Sequence, residues 1–189
     1  MPFRQKLVLP AILFLFVPVF PAFGQSTPGA PQKLSLTASL VLTPEFCATV
    51  SKQGNEKFQI GKASCKVLEP TLQNAFSTIT QVDDGAKAGE AQVVLEPRFA
   101  DTTTTHKAFA FSSRELVLNV EWTVRDPSGK VIWIGTVQGT AKRHMGNAFT
   151  YAHNAKKILE LSAQNMADES AATISSAPEL LKLSAAPVK

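Results

Sequence analysis

The sequence predicts an α+β protein: a two-layer α/β sandwich in which two helices cover one face of a mainly antiparallel sheet. Three observations lead to this class: segments of alternating apolar and polar residues, two segments with helical spacing, and a strong turn between the last two alternating segments. Each predicted strand has one apolar face, which must be buried against another layer. The predicted order is a strand, a helix, a three-stranded meander and a second helix.

The first 24 residues have the layout of a secretory signal peptide. Arg4 and Lys6 precede an uncharged apolar run, and Ala22 and Gly24 occupy the small-residue positions before a cleavage site. The alternative is an uncleaved membrane anchor, because the run is almost long enough to span a bilayer. Prolines within the run favour cleavage. Since no cysteine lies at or near Gln25, we predict an exported protein, periplasmic or secreted, that carries no lipid.

A single domain is predicted over residues 34–175, preceded by a flexible tether at residues 25–33. Strict alternation over residues 34–42 predicts the first strand. Residues 43–67 are irregular, apart from a short strand predicted around residues 58–60.

Helical spacing replaces alternation over residues 68–82. Apolar side chains recur there at steps of three and four: Leu72, Ala75, Phe76, Ile79 and Val82. Pro70 suits a first helical turn. The segment therefore predicts the first of the two helices, which ends at the Asp-Asp-Gly sequence of residues 83–85.

Three alternating segments then predict the meander, at residues 91–101, 115–125 and 130–142. Pro97 cannot donate a hydrogen bond to a strand ladder. The first of these strands is therefore predicted to be an edge strand or to be bulged at Pro97.

The Asp-Pro-Ser-Gly turn at residues 126–129 predicts the register of the last two strands. If Arg125 faces Lys130 across the turn, then Trp122 faces Trp133 as a cross-strand aromatic pair on the apolar face. A slip of one residue would send Trp133 to the opposite face, so burial should fix the register.

Helical spacing returns over residues 152–174 and predicts the second helix. Gly135 and Gly139 would leave room for that helix to approach the hairpin closely. Residues 176–189 contain two prolines and are predicted to form a frayed C-terminal tail.

The two cysteines of the sequence, Cys47 and Cys65, are predicted to form a structural disulfide. Export exposes them to oxidising conditions, which favour a disulfide bond. The alternative is a redox or metal site. No CxxC motif is present, however, and neither cysteine has a histidine nearby in sequence.

No motif points to a reaction, so the protein is predicted not to be an enzyme and to need no cofactor. A Gly-x-Ser-x-Gly motif and a phosphate-binding loop are absent from the sequence. The spacing of His106, His144 and His153 matches no zinc-ligand pattern. The formal charge of +4 falls to +2 without the two basic leader residues, and the other basic residues are spread along the sequence. No nucleic-acid partner is therefore predicted.

The outward face of the predicted hairpin is one candidate partner surface. It would present Val117, Ile132 and Ile134 among polar side chains, and a half-apolar open sheet can dock a partner. The alternative is that another layer of the same chain, such as the cysteine-bearing segment, covers it.

The connection over residues 102–114 is the second candidate, because it is longer than most hairpin loops. Phe109 and Phe111 could anchor a protein partner or enter a membrane surface, with Lys107 and Arg114 assisting. The alternative is that the strands extend into this segment, which would make both phenylalanines core residues.

The element order over residues 34–175 and the hairpin sequence Val-Arg-Asp-Pro-Ser-Gly-Lys-Val-Ile-Trp of residues 124–133 resemble small envelope proteins of Gram-negative bacteria. These are the lipopolysaccharide-assembly lipoprotein and the auxiliary lipoproteins of ABC-type lipid transporters. The resemblance implies a noncatalytic periplasmic accessory protein. Unlike those lipoproteins, this chain has no lipobox cysteine, so direct outer-membrane anchoring is not implied.

The sequence therefore predicts a noncatalytic exported accessory or adaptor protein that binds another cell-envelope protein. The alternative is a periplasmic carrier of lipid or another apolar ligand.

Overall fold

The computed structural model describes residues 33–53, 56–106, 113–146 and 148–186. The strands are β1 (Leu34–Val41), β2 (Ser51–Gln53), β3 (Glu56–Phe58), β4 (Phe76–Val82), β5 (Val93–His106), β6 (Ser113–Arg125) and β7 (Val131–His144). The helices are α1 (Pro44–Ala48), α2 (Ile60–Leu72), α3 (Ala148–Ser175) and α4 (Pro178–Ala185), with a 3-10 turn at Gly85–Lys87. The predicted α+β class is confirmed, with more elements than the sequence predicted.

The main sheet is mixed, which corrects the prediction of a mainly antiparallel sheet. Its strand order is β4-β1-β5-β6-β7, and among the described residues β2 pairs with β3 alone. β1 is parallel to both β4 and β5, whereas β5, β6 and β7 form an antiparallel meander. The crossover through α2 returns β4 beside β1 in the same direction, which a tight hairpin could not do.

The predicted helix over residues 68–82 is wrong in its second half. Helix α2 begins earlier and ends at Leu72, so Pro70 lies in its last turns rather than its first. After a turn at residues 73–75, the chain forms β4, which is rich in β-branched residues that favour an extended backbone. Phe76 and Ile79 are buried in the strand as they would have been in a helix. An apolar spacing of three residues is compatible with a strand and with a helix. Pairing with β1 decided in favour of the strand.

The disulfide between Cys47 and Cys65 joins α1 to α2, with the two Cα atoms 5.8 Å apart. Gly61, near the start of α2, lies against the backbone of α1. A Cβ atom at this position would overlap the carbonyl oxygen of Phe46. The close approach of the two helices therefore requires glycine there.

The hairpin register differs from the predicted one by two residues. Trp122 faces Gly135 and Trp133 faces Val124, so the predicted tryptophan pair does not form. Two irregularities cause this shift. The loop, in which Gly129 has a φ of 84°, is one residue longer than predicted, and a bulge near Arg125 shifts the pairing by one further residue. Because two added residues preserve the alternation, Trp133 still packs against the core on the helix-covered face.

Pro97 lies in an interior strand of the sheet, so the prediction of an edge strand is wrong, and the bulge in β5 falls between Phe99 and Asp101 rather than at Pro97. β1 pairs with β5 only as far as Leu95. Beyond that point β5 has no partner on the β1 side among the described residues. On that side of β5 the missing N–H of Pro97 therefore breaks no ladder hydrogen bond.

The core lies between the sheet and the helices. Trp122 is fully buried, and its indole N–H donates a hydrogen bond of 3.0 Å to the hydroxyl of Ser170 on α3. The predicted helix over 152–174 is confirmed as α3. Residues 178–185 form α4 with Leu180 fully buried, so the prediction of a frayed tail is wrong there.

Candidate binding groove

A groove of about 1020 Å³ lies open to solvent along the contact between α2 and α3. One wall comes from β3 and α2, and the other comes from the first four turns of α3. Its floor is apolar and partly buried against the core, and consists of Phe58, Ala63, Val67, Ala155 and Leu159. We call this site the lysine groove, after the side chains on its rim.

Five exposed lysines line the lysine groove: Lys57, Lys62 and Lys66 from the β3–α2 wall, and Lys156 and Lys157 from α3. Glu56 and Glu160 are the acidic residues in the lining, so the formal charge of the groove is +3. That charge exceeds the +2 of the whole chain without its two basic leader residues. Positive charge is therefore concentrated here, although the basic residues are spread out in sequence.

Both acidic residues of the groove already have cationic partners. Glu160 lies 3.9 Å from the Nζ atoms of both Lys156 and Lys157. Glu56 pairs with Arg114 and accepts a hydrogen bond from the hydroxyl of Tyr151. Within the described residues, no ion pair involves the three lysines of the β3–α2 wall.

Arg114 contacts three lining residues at one end of the groove, Glu56, Phe58 and Tyr151. Its side chain is only 6% exposed, and its guanidinium lies 5.8 Å from the ring centre of Phe58 and 5.4 Å from that of Tyr151. The ion pair with Glu56 thus joins β6, the β2–β3 hairpin and α3. This placement corrects the expectation that Arg114 assists membrane contact, since its position in β6 points it to the helix-covered face.

The groove forms because α2 and α3 run side by side in the same direction. Glu56, just before α2, contacts Tyr151 near the start of α3. At the other end, the side-chain amide of Gln164 donates a hydrogen bond of 3.2 Å to the hydroxyl of Thr71. Lys62 and Lys66 are one helical turn apart and so share one face of α2. The spacing of these two lysines was the available sequence signal for the groove. It was not sufficient to predict the site, because the opposite wall lies about ninety residues away in sequence.

The sequence-predicted hairpin residues do not form one patch. Ile134 is 60% exposed and lies opposite Thr123, whereas Val117 is partly buried and lies opposite Thr140. Six strand residues separate them, which corresponds to about 20 Å. Ile132, at the bulge, packs against the core instead of facing outward.

Polar side chains occupy most of the outward face between these positions. Arg98 pairs with Glu121, and the side chain of Gln138 donates a hydrogen bond to that of Asn119. The cysteine-bearing segment packs on the helix side. The outward layer is instead the β4–β5 connection, where the hydroxyl of Ser39 donates to the carbonyl of Ala88. That connection covers β1 and the start of β5, and leaves the hairpin face open among the described residues.

Phe109 and Phe111 lie outside the described residues. The strands extend further into residues 102–114 than the predicted boundaries, because β5 continues to His106 and β6 begins at Ser113. The expectation of strand extension is therefore confirmed for these parts of the segment.

The described residues contain no group of three His, Cys, Asp or Glu side chains that could hold a metal ion. In the same part of the chain, no helix is long and apolar enough to cross a membrane.

No known protein family and no curated protein matches the chain. Three solved structures that are similar to the chain have TM-scores below 0.5. A minor lipoprotein from Acinetobacter baumannii is 13% identical at a TM-score of 0.48, with 77% of this chain and 94% of that chain covered. A Xanthomonas campestris protein of family DUF330 is 7% identical at 0.46, covering 77% and 89%. A Caulobacter crescentus CB15 chain described as a lipoprotein is 16% identical at 0.44, covering 68% and 87%.

Proposed function

We propose that this chain is a noncatalytic, exported accessory protein that binds another protein of the cell envelope through the lysine groove. The single observation that carries the proposal is the groove itself: a solvent-open channel with an apolar floor and a cationic rim. Export follows from the signal-peptide layout of the first 24 residues. The envelope setting follows from the resemblance of the hairpin and the element order to envelope accessory proteins.

The composition of the groove suits protein recognition. Protein interfaces combine an apolar centre, which supplies most of the binding free energy, with a polar rim that gives orientation and specificity. Here Phe58, Val67 and Leu159 supply apolar area at the floor, and the lysines surround it. The ion pair between Arg114 and Glu56 fixes one end of the site, so little ordering is needed when a partner binds.

A carrier of lipid or another apolar ligand is the second candidate, because the floor of the groove is apolar. A ligand pocket buries most of the surface of an apolar ligand, whereas this groove is partly open to solvent. The open geometry therefore supports a protein partner over a lipid carrier.

Site-specific photo-crosslinking in the native host tests the proposal. A photoreactive phenylalanine analogue replaces exposed Lys62 in the groove or, as a matched control, exposed Ile134 on the outward sheet face. We expect a dominant protein adduct from position 62 and none from position 134, as identified by mass spectrometry. Lipid adducts at position 62 would instead favour the carrier. Adducts from position 134 alone would overturn the assignment of the groove as the binding site.

A further inference from the structure

We infer that the segment bound in the lysine groove is an acidic amphipathic helix of a partner protein. The inference rests on the proposed function, because it names the chemistry of the partner for the same site. Three features of the groove support it: the placement of its charges, its dimensions and the size of the side chains on its floor.

The charges form two rows that face each other across the floor. Lys57, Lys62 and Lys66 form one row, and no ion pair within the described residues occupies them. Lys156 and Lys157 form the other row and share Glu160 at 3.9 Å, a distance that leaves both ammonium groups available to a second carboxylate. A segment with carboxylates on both flanks would meet cations on both sides, whereas a neutral or basic segment would not.

The length of the groove matches a short helix. Its α3 wall extends from Tyr151 to Gln164, which corresponds to about 20 Å at the rise of an α-helix. A helix of about thirteen residues spans that distance and presents apolar residues on one face at i, i+3, i+4 and i+7. The α2 wall carries Lys62 and Lys66 one turn apart, so carboxylates one turn apart on the partner would face both.

The floor has small side chains that a helix can approach. Ala63 and Ala155 contribute small side chains to the lining, and small residues let a partner helix approach closely. Both are already packed on one side against the core. Such small side chains leave room for the side chains of a helix laid along the floor.

Fluorescence anisotropy with designed peptides tests the inference on the mature chain. The probe is a thirteen-residue amphipathic peptide with Glu on its polar face and Leu on its apolar face. Its control is the same peptide with Lys in place of Glu. We expect the Glu peptide to bind and the Lys peptide not to bind, and we expect affinity for the Glu peptide to fall as salt is raised.

Two triple variants locate the site. The groove variant carries Lys57→Gln, Lys62→Gln and Lys66→Gln, and should weaken binding of the Glu peptide about tenfold, since each exposed ion pair contributes only a few-fold. The matched control neutralises Lys130, Lys142 and Lys182, which are exposed and lie outside the groove, and should leave the affinity unchanged. Equal effects of the two variants would overturn the inference, because the attraction would then depend only on net charge.

Crosslinking to the natural partner distinguishes a failure of this inference from a failure of the proposed function. If crosslinking at position 62 captures a protein, the cross-linked peptide should be acidic and amphipathic, and adding Lys57→Gln and Lys66→Gln to the crosslinking variant should weaken the adduct. A cross-linked segment without acidic residues would overturn the inference and leave the groove as a protein-binding site. Lipid adducts, or no adduct from the groove, would overturn both.

Discussion

Glycine at position 139 sets how closely α3 packs on β7. A Cβ atom there would overlap the Cβ of Met166 and the carbonyl oxygen of Ser162, which is helix backbone and cannot rotate away. The same helix carries Ser170, whose hydroxyl accepts the hydrogen bond from buried Trp122. The absence of a Cβ atom at position 139 therefore lets α3 pack closely on the sheet and bury Trp122, the largest side chain of the core.

Gly139→Ala should destabilise the protein by about 2 kcal/mol, because the helix must shift to accommodate the added atom. The matched control is Gly85→Ala, where the nearest atom to an added Cβ is a side-chain oxygen of Glu96 at an ordinary 3.5 Å. The control should change stability by less than about 0.5 kcal/mol. Urea denaturation of the two variants measures the difference, and equal stabilities would contradict the packing argument.

Asp126 stabilises the turn between β6 and β7 in a pH-dependent way. The hydroxyl of Ser128 donates to its carboxylate at 2.6 Å, and the backbone N–H groups of Ser128 and Lys130 donate to it as well. The Ser128 hydroxyl hydrogen bond is the largest cause of the lowering of the pKa of Asp126 below its ordinary value of 3.8. The folded state therefore binds this proton less readily than the unfolded state.

The sign of the pH effect follows from that difference. Because the folded pKa lies below 3.8, the contribution of Asp126 is fully present above that value and is lost as the pH falls through the folded pKa. The difference in Tm between the wild type and Asp126→Ala should thus be constant near neutral pH and shrink in acid. Thermal unfolding from pH 7 to pH 2 measures it, and a gap that widens in acid would refute this assignment.

At the scale of elements, the C-terminal segment shows how one buried side chain makes a helix part of the fold. Pro178 begins α4, and Leu180 within it is fully buried in the main core. The hydroxyl of Ser184 accepts a hydrogen bond of 2.7 Å from the backbone N–H of Ser35 in β1. The prediction of a tail relied on two prolines, yet the first of them suits the start of a helix.

Leu180→Ala should cost about 3 kcal/mol of stability, because it leaves a cavity where α4 meets the core. Leu183→Ala in the same helix is the matched control, since Leu183 is 41% exposed. It should cost less than about 0.5 kcal/mol. If the two variants denature at the same urea concentration, α4 does not contribute to the cooperative core.

At the scale of the whole molecule, the disulfide fixes one wall of the lysine groove. Cys65 immediately precedes Lys66 in α2, and its partner Cys47 lies in α1. Both half-cystines pack against the main core. The covalent bond therefore ties the helix that carries Lys62 and Lys66 to the body of the domain.

Replacing both cysteines by alanine should destabilise the protein by about 3 kcal/mol, since the bond closes a loop between residues 18 apart in sequence. A reducing agent should lower the urea midpoint of the wild type to nearly that of the double variant. The double variant also serves as the control for the reductant. It has no disulfide bond, so the reductant should not change its urea midpoint. A wild type insensitive to complete reduction would argue against a stabilising role.

Local chemistry in the sequence was sufficient to predict several elements. Alternation of apolar and polar residues in β6 corresponds residue by residue to its observed burial, because a strand covered on one side needs that period. The helical stripe of α3 and the first strand were likewise predictable. The leader, the expected export and the resemblance to envelope proteins also come from the sequence, and they support the proposed setting.

Long-range pairing decided what the sequence left open. Residues 76–82 form a strand that pairs in parallel with β1, and no local period distinguishes that outcome from a helix. The hairpin register depends on two irregularities of one residue each. Together they shift the pairing by two residues, so Trp133 stays on the helix-covered face. Most of all, the lysine groove exists only in three dimensions: Lys62 and Lys156 lie far apart in sequence, and the side-by-side packing of α2 and α3 brings their charges to the rim of one groove.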